Sequence, residues 1–213
     1  MICLAASERR LPCFVLGIQA RSVNARRLWA WQRKPASLAF ATSWCRIVLW
    51  LPIKLQAQLL AKLASFDRNF AARAGSTARV LIVHKPGDDE SLRVANNIAR
   101  EIGELHEVGG VTAQVEVAAY PGAAALGARC RSQKTALVYY SSGLEGDMGQ
   151  AAEALAGADV LTIGASPAHA ERGSVVGFDL EGGKPKVVVN VTRGKAQNVS
   201  FKAELLKLAR IVG

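Results

Sequence analysis

From Leu55 onward the chain alternates between two kinds of apolar segment, separated by turn residues. Leu55, Leu59, Leu63, Phe66 and Phe70 recur every three or four residues, which lines one face of an α-helix. Gln56, Gln58, Lys62 and Arg68 fall off that stripe, and Gly75-Ser76 ends the segment. Val80 to Val83 is too short for a helix and rich in β-branched side chains, so it reads as a buried strand. Pro86-Gly87 turns the chain. Asp88 or Asp89 can cap the next helix by accepting its free amide hydrogens, and Val94, Ile98, Ile102 and Leu105 form its inner face.

The alternation continues. Ala113 to Ala119 is a strand, with Val115 and Val117 on one side. Pro121-Gly122 opens an alanine-rich helix through Arg129. Ala136 to Tyr140 is the third strand, Met148 to Leu155 a helix closed by Gly157, and Val160 to Ile163 the fourth strand, with a helical turn after Pro167. Short apolar strands alternating with helices predict a parallel sheet covered on both faces. The end differs. Ser174 to Leu180 and Lys186 to Val191 are strands on either side of Glu181-Gly182-Gly183, which predicts a hairpin. A last helix carries Phe201, Leu205, Leu208 and Val212 inward, with Lys207 and Arg210 in its final turns, where cations favour the helix dipole. The expected fold is α/β: a three-layer Rossmann-like sheet, mostly parallel, with a C-terminal antiparallel hairpin and a closing helix.

Charge divides the chain in two. It has 213 residues and a formal charge of +10. Residues 1–50 hold eight basic side chains against one acid, Glu8, together with all four tryptophans and three of the four cysteines. The remainder carries 19 basic and 16 acidic residues, an ordinary balance. The basic excess that suggests nucleic acid therefore belongs to the leader. Residues 1–53 read as a basic leader, signal-like or disordered, and 54–213 as the α/β domain. Arg9-Arg10 followed by Leu11 to Ile18 has the order of an export signal, with Ile18-Gln19-Ala20 a poor cleavage site. Neither apolar run of the leader reaches the length of a membrane span, and none is expected.

Taken together these residues resemble the YfiR-like family of small bacterial periplasmic proteins. The resemblance covers most of Leu55 to Val212 and is strongest at the end. Gly157 to Gly164 looks like the family's strand leading to a turn, Gly173 to Leu180 and Pro185 to Val191 like its hairpin, and Ala203 to Val212 like its closing helix. Leu55 to Lys62 looks like the opening helix. The resemblance implies a non-enzymatic periplasmic regulator or sensor without a cofactor. In the family's best-known member, such a protein binds an inner-membrane diguanylate cyclase and holds it inactive, so a diguanylate cyclase or sensor kinase is the implied partner. It also allows a homodimer. That member uses cysteine pairs for redox control, whereas only Cys130 follows Leu55. An intradomain disulfide is thereby excluded; a buried free thiol is expected, with an intermolecular disulfide through the odd cysteine as the alternative.

No phosphate-binding loop, CxxC or HExxH occurs. The chemistry-bearing residues that do occur gather after strands: His84 after the first, Ser141 and Ser142 after the third, Ser166 and His169 after the fourth. In a parallel sheet those carboxyl ends form the ligand crevice. An alternative reading is therefore a small-ligand-binding domain with these five residues around the crevice. A remote one is a serine hydrolase, with Ser141 activated by His84 and Asp88 orienting the ring. Ser141 lacks the Gly-x-Ser-x-Gly elbow that such a nucleophile uses. His84 and His169 lack a third ligand for a metal.

Overall fold

A computed structural model describes residues 51–213. Residues 1–50, which carry the export-signal reading of the leader, lie outside the described residues, whereas Leu51 is buried in the core and Ile53 begins the first helix. In chain order the elements are α1 (Ile53–Phe66), α2 (Phe70–Ala74), β1 (Ala78–His84), α3 (Asp89–Leu105), β2 (Glu107–Val108), β3 (Val111–Ala119), α4 (Ala123–Gln133) and β4 (Leu137–Tyr140). There follow α5 (Met148–Ala154), β5 (Leu161–Gly164), α6 (Pro167–Arg172), β6 (Val176–Glu181), β7 (Lys184–Asn190), α7 (Val191–Ala196), α8 (Ala203–Leu208) and β8 (Arg210–Val212).

The strands form one sheet in the order β2-β3-β1-β4-β5-β6-β7-β8. Pairing is parallel from β3 through β1, β4 and β5 to β6; β7 runs antiparallel to β6, and β8 parallel to β7. The apolar runs of β1 and β4 are buried on both sides. Val80, Ile82, Leu137 and Tyr139 enter one core with α1 and α3, while Leu81, Val83, Val138 and Tyr140 enter a second with α4 and α5. Two cores on one sheet make the three layers that the alternating elements predict. Gly182 and Gly183 both take positive φ, 56° and 76°, as a two-residue hairpin turn with matching twist requires.

Four expectations need correction. The stripe from Leu55 to Phe70 is not one helix. It breaks at Asp67, whose carboxylate accepts from the amides of Asn69 and Ser200 and pairs with Arg73. Gln56 does not lie off the buried face: it is 1% exposed, accepts from the Tyr139 hydroxyl at 2.6 Å and donates to the Leu51 carbonyl at 2.7 Å. Leu105, at the end of α3, is exposed. The closing helix stops at Leu208, because Arg210–Val212 pair with Val188–Asn190 as an edge strand. Leu208 consequently projects outward, 73% exposed, and Arg210 reaches Glu171 and Asp179 instead of ending a helix. The short elements β2 and α7 had no sequence signal. In α7 the capping group is Asn190, which accepts from the Arg193 amide.

Candidate functional site

The sheet changes winding direction between β1 and β4. The chain leaves β1 through α3 toward β3, then crosses back through α4 to β4 on the other side. Crevices for ligands open at such a point, outside the strands' carboxyl ends. Here the two loops that flank it are joined by hydroxyls. Ser91, fully buried in the first turn of α3, accepts from the Lys85 amide at 2.9 Å and donates to the Ser142 carbonyl at 2.7 Å. Its one proton is thereby engaged. The Ser141 hydroxyl, 2.6 Å away, must therefore be the donor to it. Asp88 holds the helix start in place by accepting from the Ser91 amide.

The second half of the site is built around His169. Its ring is completely buried. Nε2 faces the Ser141 carbonyl at 3.2 Å, an atom that can only accept, so Nε2 carries the proton. Nδ1 then accepts from the Ser166 hydroxyl at 2.8 Å. Glu145, from the β4–α5 loop, stands 3.8 Å from Nδ1. Burial lowers the ring's pKa, and Glu145 opposes that shift. Helix α6 lies this close to the sheet because Gly164 and Gly177 beneath it have no side chains. A Cβ on Gly164 would overlap the His169 side chain, and one on Gly177 would sit 2.5 Å from the Ser166 carbonyl.

A continuous chain of hydrogen bonds thus runs Lys85–Ser91–Ser141–His169–Ser166 across three strand-end loops. Of the residues expected from sequence, Ser141, Ser166 and His169 meet in it through their side chains, and Ser142 joins through its carbonyl. His84 is not part of it; its Nδ1 lies 3.2 Å from the Lys85 carbonyl. The Ser141–His84–Asp88 relay is not assembled, since the Ser141 hydroxyl points to Ser91 and Asp88 to a backbone amide. Two cavities, of about 380 and 350 Å³, lie toward the opposite ends of the strands. The first is lined by Arg79, Gln114, Glu116 and Gln133, the second by Arg73, Cys130, Arg131, Lys134 and Asp159.

Sequence reasoning missed Ser91 and Glu145. Ser91 looks like an ordinary polar residue in a first helical turn, and Glu145 like part of a turn. It also missed a buried ion pair. Arg73 donates to Asp67 at 2.7 Å, to Asp159 at 2.8 Å and to the Asn198 carbonyl at 3.0 Å, with its side chain and that of Asp67 both nearly inaccessible. Cys130 is buried in α4 and free, and burial pushes its thiol up to about 11. Among the described residues no three metal-ligating side chains cluster, and no helix is long and apolar enough to cross a membrane.

The fold is a winding-reversed, mostly parallel α/β sheet whose strand-end polar groups are tied to one another. Residues 53–210 match the YfiR/HmsC-like family, and the chain is a member of it. This is a family of periplasmic regulators in cyclic di-GMP signalling. No curated protein matches the chain. Among solved structures, the ABC domain in complex with L-Trp from Streptococcus pneumonia is similar at 13% identity and a TM-score of 0.53, covering 73% of this chain and 62% of that one. A conserved domain protein from Vibrio cholerae is similar at 13% identity and a TM-score of 0.51, covering 76% and 60%. The chain thus spans about three-fifths of the length of these structures. At this identity they show the shared fold alone.

Proposed function

We propose that this protein binds the periplasmic part of an inner-membrane signalling protein, a diguanylate cyclase or a sensor kinase, and restrains its output. The family match over residues 53–210 carries this reading. The site geometry is compatible with it: the strand-end hydroxyls and imidazole are engaged with one another, so they brace loops rather than present a nucleophile. The test is capture of the full chain by the periplasmic region of each cyclase or kinase encoded beside it, with cyclic di-GMP measured in cells with and without the chain. Specific binding, with cyclic di-GMP rising when the chain is deleted, supports a cyclase partner. Specific binding with altered kinase autophosphorylation supports a kinase. Failure to bind any such neighbour overturns the reading.

A further inference from the structure

We propose that His169 is an acid-sensitive latch: neutral, it holds the 141–147 loop and the start of α6 together, and its protonation releases both. The geometry leaves little room for a second proton. The ring is fully buried, wedged over Gly164, with Nε2 donating to Ser141 and Nδ1 accepting from Ser166. Protonating Nδ1 makes both ring nitrogens donors. The Ser166 hydroxyl can then no longer donate to the ring and must turn.

A buried imidazolium also needs a charged partner or water. The charged groups that act on the ring are Glu145, from the β4–α5 loop, and Arg172, on α6 itself; β4 and β5 present the uncharged Ser141 carbonyl and Gly164. Glu145 at 3.8 Å is beyond hydrogen-bond reach. Either the 141–147 loop shifts to bring Glu145 in, or the loop and α6 part to admit water. Both outcomes undo the bracing of the strand-end loops. Because Ser141 is also tied to Ser91, the disturbance extends to α3. A compartment open to the medium supplies the acid signal. The inference goes beyond partner binding and does not depend on it.

Amide hydrogen exchange on the full chain tests it, at about pH 7.5 and about pH 5, corrected for intrinsic rates. The expected result is roughly tenfold or greater loss of protection in 141–147 and 166–172 on acidification, absent in His169→Gln, with the midpoint moved to lower pH in Glu145→Gln. Unchanged protection in the wild type, or the same loss in His169→Gln, overturns the latch. If His169→Gln does not fold, imidazole NMR of the wild type decides, since the chain has only three histidines. A His169 ring that titrates with the loop supports the latch; a ring that stays neutral through the transition overturns it. No partner enters these measurements, so their failure is distinct from failure of the partner reading.

Discussion

The side chains of Ser91 and Ser141, fifty positions apart in sequence, meet oxygen to oxygen at 2.6 Å in the buried seam between α3 and the end of β4. The two residues are not equivalent. Ser91 serves three groups: the Lys85 amide, the Ser141 hydroxyl and the Ser142 carbonyl. Ser141 contributes one donor to that set. Ser91→Ala leaves three polar groups short of a partner and should cost about 2–3 kcal/mol, whereas Ser141→Ala removes its own donor and should cost about 1 kcal/mol. Urea denaturation of the two variants checks the ordering. Equal losses would mean that the hydroxyl network is not what joins the loops.

The Arg73 guanidinium distinguishes its two carboxylates by depth. Asp67 is inaccessible, while the Asp159 side chain is 51% exposed. Asp67 further accepts from the amides of Asn69 and Ser200, tying the break after α1 to the segment before α8. Asp67→Ala leaves the buried Arg73 guanidinium with only Asp159 and the Asn198 carbonyl and strands two amides, and should destabilise by about 3 kcal/mol. Asp159→Ala should cost less than about 1 kcal/mol, because water replaces it. Thermal melts of both variants give the comparison.

The sheet was legible from sequence because its signals are local. Short β-branched runs, Pro86-Gly87, and Gly182-Gly183 specify strands and turns without reference to the rest of the chain. The errors came where distant contacts prevail. Phe70 continues a helical period from Leu55, but Asp67 interrupts it by bonding to Ser200, 133 positions away. Helical spacing likewise runs on to Val212, yet Arg210–Val212 extend because the edge of β7 offers them a ladder. At the site, serine and histidine after a strand could be located by position. Their engagement with one another runs through Ser91, with Glu145 close by, and both roles appear only when three loops are brought together.

Gln56 shows the same limit at the scale of one side chain. A glutamine beside a leucine stripe reads as solvated, but its two amide atoms join the chain before α1 to Tyr139 in the core. Burial raises the Tyr139 phenol pKa well beyond its ordinary value, so it remains a donor at all physiological pH. Gln56→Leu leaves that hydroxyl and the Leu51 carbonyl unpaired and should cost about 2–4 kcal/mol. In the double variant with Tyr139→Phe the cost should fall by about 1 kcal/mol or more, since the stranded hydroxyl is gone. A double-mutant cycle by urea denaturation measures this coupling; simple additivity would contradict the buried hydrogen bond.

Cys130 combines near-complete burial with a thiol pKa pushed up to about 11 by loss of solvent, against which Thr135 and the nearby arginines act only in part. Relative to the ordinary 9.0, the thiolate fraction near neutral pH falls roughly a hundredfold before access is considered. Iodoacetamide at about pH 8 should therefore leave the Cys130 peptide unmodified in the folded chain and label it fully in urea. Mass spectrometry after cleavage at glutamate, which releases residues 117–145, separates this thiol from the three cysteines of the leader. Rapid labelling of the native protein would show that the wall of α4 opens.

The depressed pKa of His169 has a thermodynamic consequence separate from loop opening. Well above about pH 6.5 the ring is neutral in both folded and unfolded chains and adds no pH dependence. As pH falls through that value the unfolded chain takes up a proton that the buried ring resists. The unfolded state is thereby favoured, and folding stability declines until the folded ring also titrates. The decline from this residue alone approaches about 1.4 kcal/mol per pH unit at its steepest. His84 and His106 are common to the wild type and His169→Gln, so the difference between their stability curves isolates His169. That difference should be constant above about pH 7 and shift steadily against the wild type below about pH 6.5. A shift in the wild type's favour on acidification would mean that Glu145 stabilises the imidazolium more than burial opposes it, reversing the sign derived from the geometry.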